Sequence, residues 1–421
     1  MAALYLGSVA VHLVLSSRMA GPVIQGDEGA YMGTARFLAT GVGILFRQSP
    51  YQPGWGALLF PVERTTADPT ILYRAALVLN ALALGSLVVV AYALSRWLID
   101  PRAIGRRMAA AAVVAAYPAY LAYSNVALET SVFVPLCALT AWAVARCAER
   151  PTWRRWAVAG VLAGGCYGVH ALGTIVVAAV LALAILARRP LHERLPGLVG
   201  CLAGIQVSAL PSLLLLRRVI DYDRRITATP AVRVVSRAQA VIGLYNHNAT
   251  LRGHAVLLAY EAAGQVWYLT AATAGLVVVG ALVAAVAMWR VFVRRSRRPA
   301  DFVAAFAGLL FGLGLFSSAN RFIVGRQGTG QADALIYGRY NEHLLAPLLA
   351  VAAASLLRRR IRWRQVSAWS AAVLAVLAAC GGLLVVGRSA AALRSPIVFV
   401  NGFGLQPALH RAGRPISSPP S

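Results

Sequence analysis

Long apolar stretches, separated by short arginine-rich stretches, run along almost the whole chain. Each apolar stretch is close to the ~20 residues that a helix needs to cross the hydrocarbon core of a bilayer. These segments lie at 2–17, 71–95, 108–123, 126–145, 196–216, 266–289, 301–319, 337–357 and 366–387. The pattern predicts an all-α polytopic membrane protein.

The arginine clusters indicate which connections face the cytoplasm. They lie at 96–107, 146–155, 188–194, 290–298 and 358–364, in short connections that the positive-inside rule places in the cytoplasm. Trp97, Trp153, Trp289 and Trp363 accompany them, as expected of residues at a membrane surface.

The apolar run 156–187 has an arginine cluster at each end. A single span there would place the later clusters outside, so we expect two short helices that turn near Gly168 to His170. The prediction is then about 11 transmembrane helices, with the N-terminus inside and the C-terminus outside. The long segments 18–70, 217–265 and 320–336 would share the outer face. We expect one transmembrane domain over 1–390 and an outer-face tail over 391–421, partly disordered.

Composition supports this class of protein. The chain of 421 residues is 59% hydrophobic with a mean hydropathy of +0.67, which excludes an ordinary soluble globule. The net charge of +26 comes from arginine, because the sequence has no lysine. This excess suits membrane lipids and phosphate-bearing ligands rather than nucleic acid. The five cysteines have no metal-type spacing and are expected to be small core residues.

Asp27 and Glu28 stand side by side in the first outer segment, although the whole chain has only 14 acidic residues. A carboxylate at a membrane surface can act as a base or a metal ligand. The alternative is that the pair stabilises the start of a helix, where acidic side chains are favourable.

The sequence around the pair resembles the first periplasmic loop of the GT-C superfamily. Residues 30–40 can form an amphipathic interfacial helix, and a second short apolar piece between prolines covers 51–61. The resemblance continues at the tyrosine-rich stretch 117–124 followed by Glu129, and at 337–343 followed by Pro347. GT-C enzymes are glycosyltransferases that use polyprenyl-phosphate sugars, such as protein O-mannosyltransferases and the lipid A aminoarabinose transferase.

The resemblance implies transfer of a sugar from a polyprenyl-phosphate donor to an envelope glycan, lipid or protein. The site would face the extracytoplasmic side of a bacterial plasma membrane. An inverting, in-line displacement needs one carboxylate to take the acceptor proton, and Asp27 is the candidate for this base. Glu28 would orient Asp27, bind acceptor or hold a divalent ion. Glu129 is either a second active-site acid or a helix-start charge. Whether the reaction needs a divalent metal ion stays open.

The leaving polyprenyl phosphate needs a cationic partner, and arginine binds phosphate bidentately. Arg339 is the first candidate because Tyr340, Glu342 and His343 accompany it, and these three are predicted to bind substrate with it. Arg321 and Arg326 would either contact substrate or bind anionic lipid. His170, at the tip of the predicted hairpin, would either contact substrate or pack within the turn.

Two other functions stay open at this point. An O-antigen ligase or polymerase-like enzyme would carry its essential residues in the segment 217–265, which contains Tyr245, Asn248 and His254. A lipid or solute transporter would have charged residues near the middle of the membrane and broken helices in matched halves. The acidic residues at the outer ends of the predicted spans favour an enzyme.

Overall fold

A computed structural model describes residues 1–19, 21–22, 25–43, 51–186, 191–227, 251–329, 338–358 and 363–386. Throughout these ranges the regular structure is helical. The first part of the chain contains α1 (Ala2–Ser16), α2 (Gln25–Thr40), α3 (Gly54–Glu63), α4 (Pro69–Leu98), α5 (Ile104–Ala115), α6 (Pro118–Ala122), a 3-10 turn (Tyr123–Asn125) and α7 (Thr130–Glu149). The second part contains α8 (Trp153–Val169), α9 (Gly173–Leu186), α10 (Leu191–Thr227), α11 (Leu251–Ala272), α12 (Leu276–Phe292), α13 (Pro299–Thr329), α14 (Arg339–Glu342), α15 (Ala346–Leu356) and α16 (Trp363–Val386).

The chain is a multi-pass membrane protein. Four helices within the described residues are long and apolar enough to cross a bilayer: Pro69–Leu98, Thr130–Glu149, Arg194–Tyr222 and Pro299–Arg321. A fifth span is added if α11 and α12 count as one. Shorter apolar helices lie at Ala2–Ser16, Gly173–Leu186, Ala346–Leu356 and Ser367–Gly381. The helices that meet the criterion are fewer than eleven, so the number of spans stays a prediction.

Three of the predicted spans are broken in the structure. The segment 108–123 stops being one helix at Ala115, because Pro118 cannot continue the hydrogen-bonding of α5. The segment 266–289 bends by 114° between α11 and α12. Ala274 and Gly275 have positive φ angles of 48° and 82° at that bend, and a left-handed pair ends a helix abruptly. The segment 337–357 divides into two helices, α14 and α15. Helix α15 begins just before Pro347.

The apolar run 156–187 forms the predicted hairpin. Helices α8 and α9 are joined at His170 to Leu172, and α10 packs against α8 through glycines. A Cβ on Gly160 would lie 2.2 Å from the Cys201 carbonyl oxygen, and one on Gly164 would lie 2.7 Å from that of Ile205. Small residues are therefore required where these two backbones meet, as the Gly160–Gly164 spacing predicts. Within the described residues, no atom lies within 4 Å of such a Cβ on Gly312, so the similar Gly308–Gly312 spacing is not matched by the same contact.

The helices converge on one end of the bundle. Helix α4 begins at a local signal, since the Asp68 carboxylate accepts from the Thr70 backbone N–H at 2.8 Å and Pro69 opens the helix. Helix α2 packs on α3, α4 packs on α7, and α7 packs on both α8 and α13. The start of α2, the start of α7, the tip of the α8–α9 hairpin and α14 meet there, and together they carry the polar residues described next.

Candidate active site

Asp27 and Glu28 lie in the first turn of α2, where acidic residues favour the helix N-terminus. Adjacent residues of an α-helix are about 100° apart around its axis. The two carboxylates therefore point in different directions and have different partners. This geometry separates their roles.

Asp27 lies in a polar contact with the late part of the chain. One carboxylate oxygen accepts a hydrogen bond from the Tyr51 hydroxyl at 2.5 Å. The other accepts from Arg339 Nη1 at 2.6 Å. The Asp27 side chain is 21% exposed and that of Arg339 is 9% exposed, so the pair is largely desolvated with an opening on the Asp27 side.

The surroundings of Asp27 keep its carboxyl group ionised. Burial raises the pKa of Asp27, but the Arg339 guanidinium and the Tyr51 hydroxyl outweigh that effect, and Arg321 adds to them. The net result is a pKa below the usual value for aspartate. An ionised, partly accessible carboxylate can accept a proton or contact a cation.

Glu28 is fully buried and holds helices together. Its Oε1 accepts from the Tyr73 hydroxyl at 3.0 Å and from the Ala127 backbone N–H at 2.7 Å. These contacts tie α2 to α4 and to the turn before α7. The structure therefore places Glu28 outside the group of polar residues around Asp27.

Glu129 lies near the polar residues around Asp27, in a buried cluster with two histidines, His170 and His343. Its Oε1 is 3.3 Å from His170 Nε2, and a nitrogen of His343 belongs to the same cluster. One potential ligand atom from each of the three residues lies within 4.8 Å of the other two. The Tyr31 hydroxyl interacts with the Glu129 carboxyl group. Within the described part of the chain, the buried atoms Glu129 Oε2 and His343 Nδ1 have no partner in hydrogen-bond geometry.

The neighbours of each imidazole indicate its tautomer. The Leu172 backbone N–H donates to His170 Nδ1 at 2.9 Å, so the neutral ring carries its hydrogen on Nε2, which faces Glu129. His343 Nε2 lies 2.8 Å from Thr130 Oγ1. If Nε2 donates to Thr130, Nδ1 of His343 keeps a lone pair. In that tautomer His343 can offer a lone pair to a cation together with Glu129, and His170 can donate to Glu129 and orient it.

Burial changes the pKa values of Glu129 and His343. Burial raises the pKa of Glu129 to about 7, in spite of the lowering effect of Arg339. Burial also lowers the pKa of His343, and electrostatic interactions with His170 and Arg339 act in the same direction. The lowered pKa favours the neutral imidazole of His343, which is the form that can bind a cation.

The arginines and Tyr340 complete the group. The Arg321 guanidinium lies over the Tyr340 ring, 4.7 Å from its centroid, and Tyr340 is also near the His170 and His343 rings. Arg321 is exposed at this position. The backbone of Arg326 belongs to α13, but its side chain lies outside the described residues. The group therefore offers two guanidiniums, Arg339 and Arg321, near one partly open carboxylate.

Glu342 occupies a cage of tyrosines rather than this group. Its Oε1 accepts from the Tyr268 hydroxyl at 2.5 Å and from Tyr117 at 3.2 Å. Its Oε2 accepts from Tyr123 at 2.8 Å, and its backbone carbonyl accepts from Tyr120 at 3.0 Å. The side chain is fully buried. Because α14 has only four residues, this cage fixes the short helix that begins with Arg339.

Two aromatic residues of the site are not evident from the sequence reasoning. Tyr51 contacts Asp27 directly, and its ring centroid is 4.8 Å from that of Tyr31. Tyr31 stands four residues after Asp27, so helical spacing could have placed it on the same face of α2. No comparable signal marks Tyr51, because a contact across the loop depends on the tertiary fold.

The structure bears differently on the two alternative functions, the ligase-like enzyme and the transporter. The ligase-like alternative depends on the segment 217–265, of which residues 228–250 lie outside the described residues together with Tyr245 and Asn248. The side chain of His254 is also outside them. The transporter alternative predicts broken helices in matched halves, and the described residues contain one bent pair of this kind, α11 and α12.

Residues 72–212 match a family model described as dolichyl-phosphate-mannose-protein mannosyltransferase. The match confirms the resemblance to GT-C membrane glycosyltransferases that the sequence predicts. No curated protein matches the chain.

The chain is also similar to solved structures. The archaeal oligosaccharyltransferase AglB from Archaeoglobus fulgidus, in complex with an inhibitory peptide and a dolichol-phosphate, is 11% identical over 90% of this chain with a TM-score of 0.49. The apo form of the Archaeoglobus fulgidus oligosaccharyltransferase is 12% identical over 90% with a TM-score of 0.49. Apo ArnT from Cupriavidus metallidurans is 16% identical over 91% with a TM-score of 0.48. The chain spans 55%, 55% and 64% of the lengths of these three structures.

Proposed function

We propose that the protein is a membrane glycosyltransferase that transfers a sugar from a polyprenyl-phosphate donor to an acceptor hydroxyl. The observation that carries the proposal is the contact between Asp27 and Arg339, at 2.6 Å, from opposite ends of the chain. A carboxylate base and a phosphate-binding guanidinium are the two groups that this displacement needs at one place. The family match over 72–212, whose description names a dolichyl-phosphate sugar donor, supports the same chemistry.

In the proposed reaction the donor phosphate takes over Arg339 from Asp27. The two non-bridging oxygens of a phosphodiester offer the guanidinium the same bidentate geometry as the two oxygens of a carboxylate. Release from Arg339 removes the main influence that lowers the pKa of Asp27, so the carboxylate becomes a stronger base when the donor is bound. The acceptor oxygen then attacks the anomeric carbon, Asp27 takes its proton, and the polyprenyl phosphate leaves on Arg339. Single displacement inverts the anomeric configuration.

The proposed acceptor is an envelope glycan, lipid or protein on the extracytoplasmic face. Support for this side comes from the arginine clusters, which place the opposite ends of the spans in the cytoplasm by the positive-inside rule. A lipid-linked donor suits that face because nucleotide sugars are confined to the cytoplasm.

Glu129 and His343 are the proposed ligands of a divalent cation. Their unpartnered buried atoms support this, as does the hydrogen that His170 directs at Glu129. A carboxylate and an imidazole suit Mn²⁺ or Zn²⁺ better than Mg²⁺. A bound cation would supply positive charge next to the donor phosphate. Isothermal titration of the purified full chain with MnCl₂ or ZnCl₂ should show binding that His343→Gln abolishes. The matched variant His12→Gln, at a buried histidine that bonds to Ser124, should keep it. Equal binding by both variants would remove His343 from the site.

The test of the function is a transfer assay in proteoliposomes with polyprenyl-phosphate mannose and other polyprenyl-phosphate sugars. Wild type should release polyprenyl phosphate with at least one donor when envelope extract is added as acceptor. The variant Asp27→Asn should lower this rate by about 10²- to 10⁴-fold, the usual contribution of general-base catalysis. Transfer from a nucleotide sugar but from none of the lipid donors would contradict the proposal.

A further inference from the structure

A second polar feature lies at the other end of α7, away from Asp27 and its neighbours. Helix α7 begins after Glu129 and ends at Glu149, so its ends are about 30 Å apart at the usual helical rise. Around Glu149 the structure has a cavity of about 820 Å³. Volumes of this order are typical of ligand sites. The cavity's lining residues are Arg96, Arg146, Ala148, Glu149, Arg150, Pro151, Arg155, Arg297 and Pro299.

The charge of this cavity is unbalanced. Among the described residues, five arginines line it and Glu149 is its one acidic residue, which leaves four positive charges in excess. Glu149 lies 3.5 Å from Arg96, 3.7 Å from Arg146 and 4.0 Å from Arg155, and it accepts from the Trp97 indole N–H at 2.6 Å. One carboxylate thereby orients three guanidiniums toward the same space. Guanidiniums gathered in a concave site are suited to a phosphate group.

The position of the cavity indicates the source of that phosphate. Its lining comes from the ends of α4 and α7, the start of α8 and the connection between α12 and α13, which are the arginine-rich connections that the sequence places in the cytoplasm. Trp153 and Trp289, each 55% exposed, lie beside these connections. Exposed tryptophans are typical of the level of lipid headgroups. Phospholipid headgroups carry a phosphate at this level, and the excess of positive charge in the cavity favours an anionic lipid among them.

We propose that this cavity binds the phosphate headgroup of an anionic phospholipid of the cytoplasmic leaflet. The site is separate from the proposed active site and does not depend on the proposed function. The positive-inside rule alone explains the number of arginines, but it does not require them to line one cavity around a shared carboxylate. A dispersed surface charge would lose equal lipid affinity when lining or non-lining arginines are replaced. A built site would lose affinity only when the lining arginines are replaced.

The chain offers matched pairs for that comparison. Arg150 and Arg297 line the cavity, whereas Arg154 and Arg298 lie close in sequence but outside the lining. All four side chains are exposed, so their substitution should leave folding intact. The test variants are Arg150→Gln/Arg297→Gln for the lining and Arg154→Gln/Arg298→Gln for the control. Both lose two positive charges.

The measurement is native mass spectrometry of the purified full chain in neutral detergent, titrated with phosphatidylglycerol. Each arginine near a phosphate contributes about 5-fold in affinity, so the lining variant should bind about 30-fold more weakly than wild type. The control variant should bind as wild type does. Equal weakening of the two variants would show general surface charge and overturn the proposal, as would equal binding of phosphatidylcholine. Displacement of the lipid by glycerol 3-phosphate at matched concentration would show a soluble anion site and also overturn it.

Discussion

The tyrosine cage around Glu342 makes a graded prediction about stability. Three phenol groups donate to one buried carboxylate, at 2.5 Å from Tyr268, 2.8 Å from Tyr123 and 3.2 Å from Tyr117. Replacement of each tyrosine by phenylalanine removes one donor and keeps the ring. A hydrogen bond to a charged group contributes about 1.5–3 kcal/mol, and the shorter bonds are expected at the upper end.

Tyr268→Phe should therefore lower the free energy of unfolding by about 3 kcal/mol, and Tyr117→Phe by about 1.5 kcal/mol. Tyr123→Phe should lie between them. The assay is equilibrium unfolding of the purified protein in mixed micelles of mild detergent and SDS. Tyr167→Phe is the control, because its hydroxyl makes no hydrogen bond within the part of the chain that the structure describes. If Tyr268→Phe stayed within about 0.5 kcal/mol of wild type, the carboxylate would not depend on the cage.

Three further predictions concern Glu28, Arg339 and the α8–α10 contact. Glu28→Gln should keep most of the transfer activity because its oxygen can still accept hydrogen bonds from Tyr73 and Ala127. Glu28→Ala should reduce the yield of folded protein on size exclusion. Equal loss of activity in both variants would indicate a catalytic role for Glu28. Arg339→Lys should raise the KM for the lipid donor by about 10-fold or more in transfer kinetics, since an ammonium cannot hold phosphate bidentately, and an unchanged KM would remove Arg339 from the donor site. Gly160→Ala should lower the free energy of unfolding by about 1–3 kcal/mol because its Cβ would meet the Cys201 carbonyl. Gly165→Ala is the control and should not destabilise, since no atom of the described residues lies within 4 Å of its Cβ; the opposite order would refute the close packing of α8 on α10.

The helical class of the fold is predictable because the hydropathy and length of each apolar segment indicate by themselves that the segment is a helix buried in lipid. The hairpin of α8 and α9 is predictable for a similar reason, since arginines at both ends of 156–187 require the chain to return to the same side. The breaks at Gly275 and before Pro347 are harder to see. Apolar composition continues across both, and the backbone angles that end the helices do not change hydropathy.

The site illustrates the same division. The sequence predicts that Asp27 and Arg339 share a face, and the structure has them in contact. It also groups Glu342 with Arg339 as a substrate-binding residue, because the two are neighbours in sequence. Three residues later on a helical turn, Glu342 meets the tyrosines instead. Tertiary contacts decide that Asp27 meets Arg339 whereas Glu342 is buried among tyrosines. The composition of the sequence around the two carboxylates is too similar to distinguish them.

The central claim is that Asp27 is the base of a lipid-donor sugar transfer. The most direct measurement is the single-turnover rate of polyprenyl phosphate release from a saturating polyprenyl-phosphate sugar by Asp27→Asn, compared with wild type. Asp100→Asn, an exposed aspartate after α4, is the matched control. We expect a rate about 10²- to 10⁴-fold below wild type for Asp27→Asn, with donor binding retained and the control unaffected. A rate for Asp27→Asn equal to that of wild type would contradict the central claim.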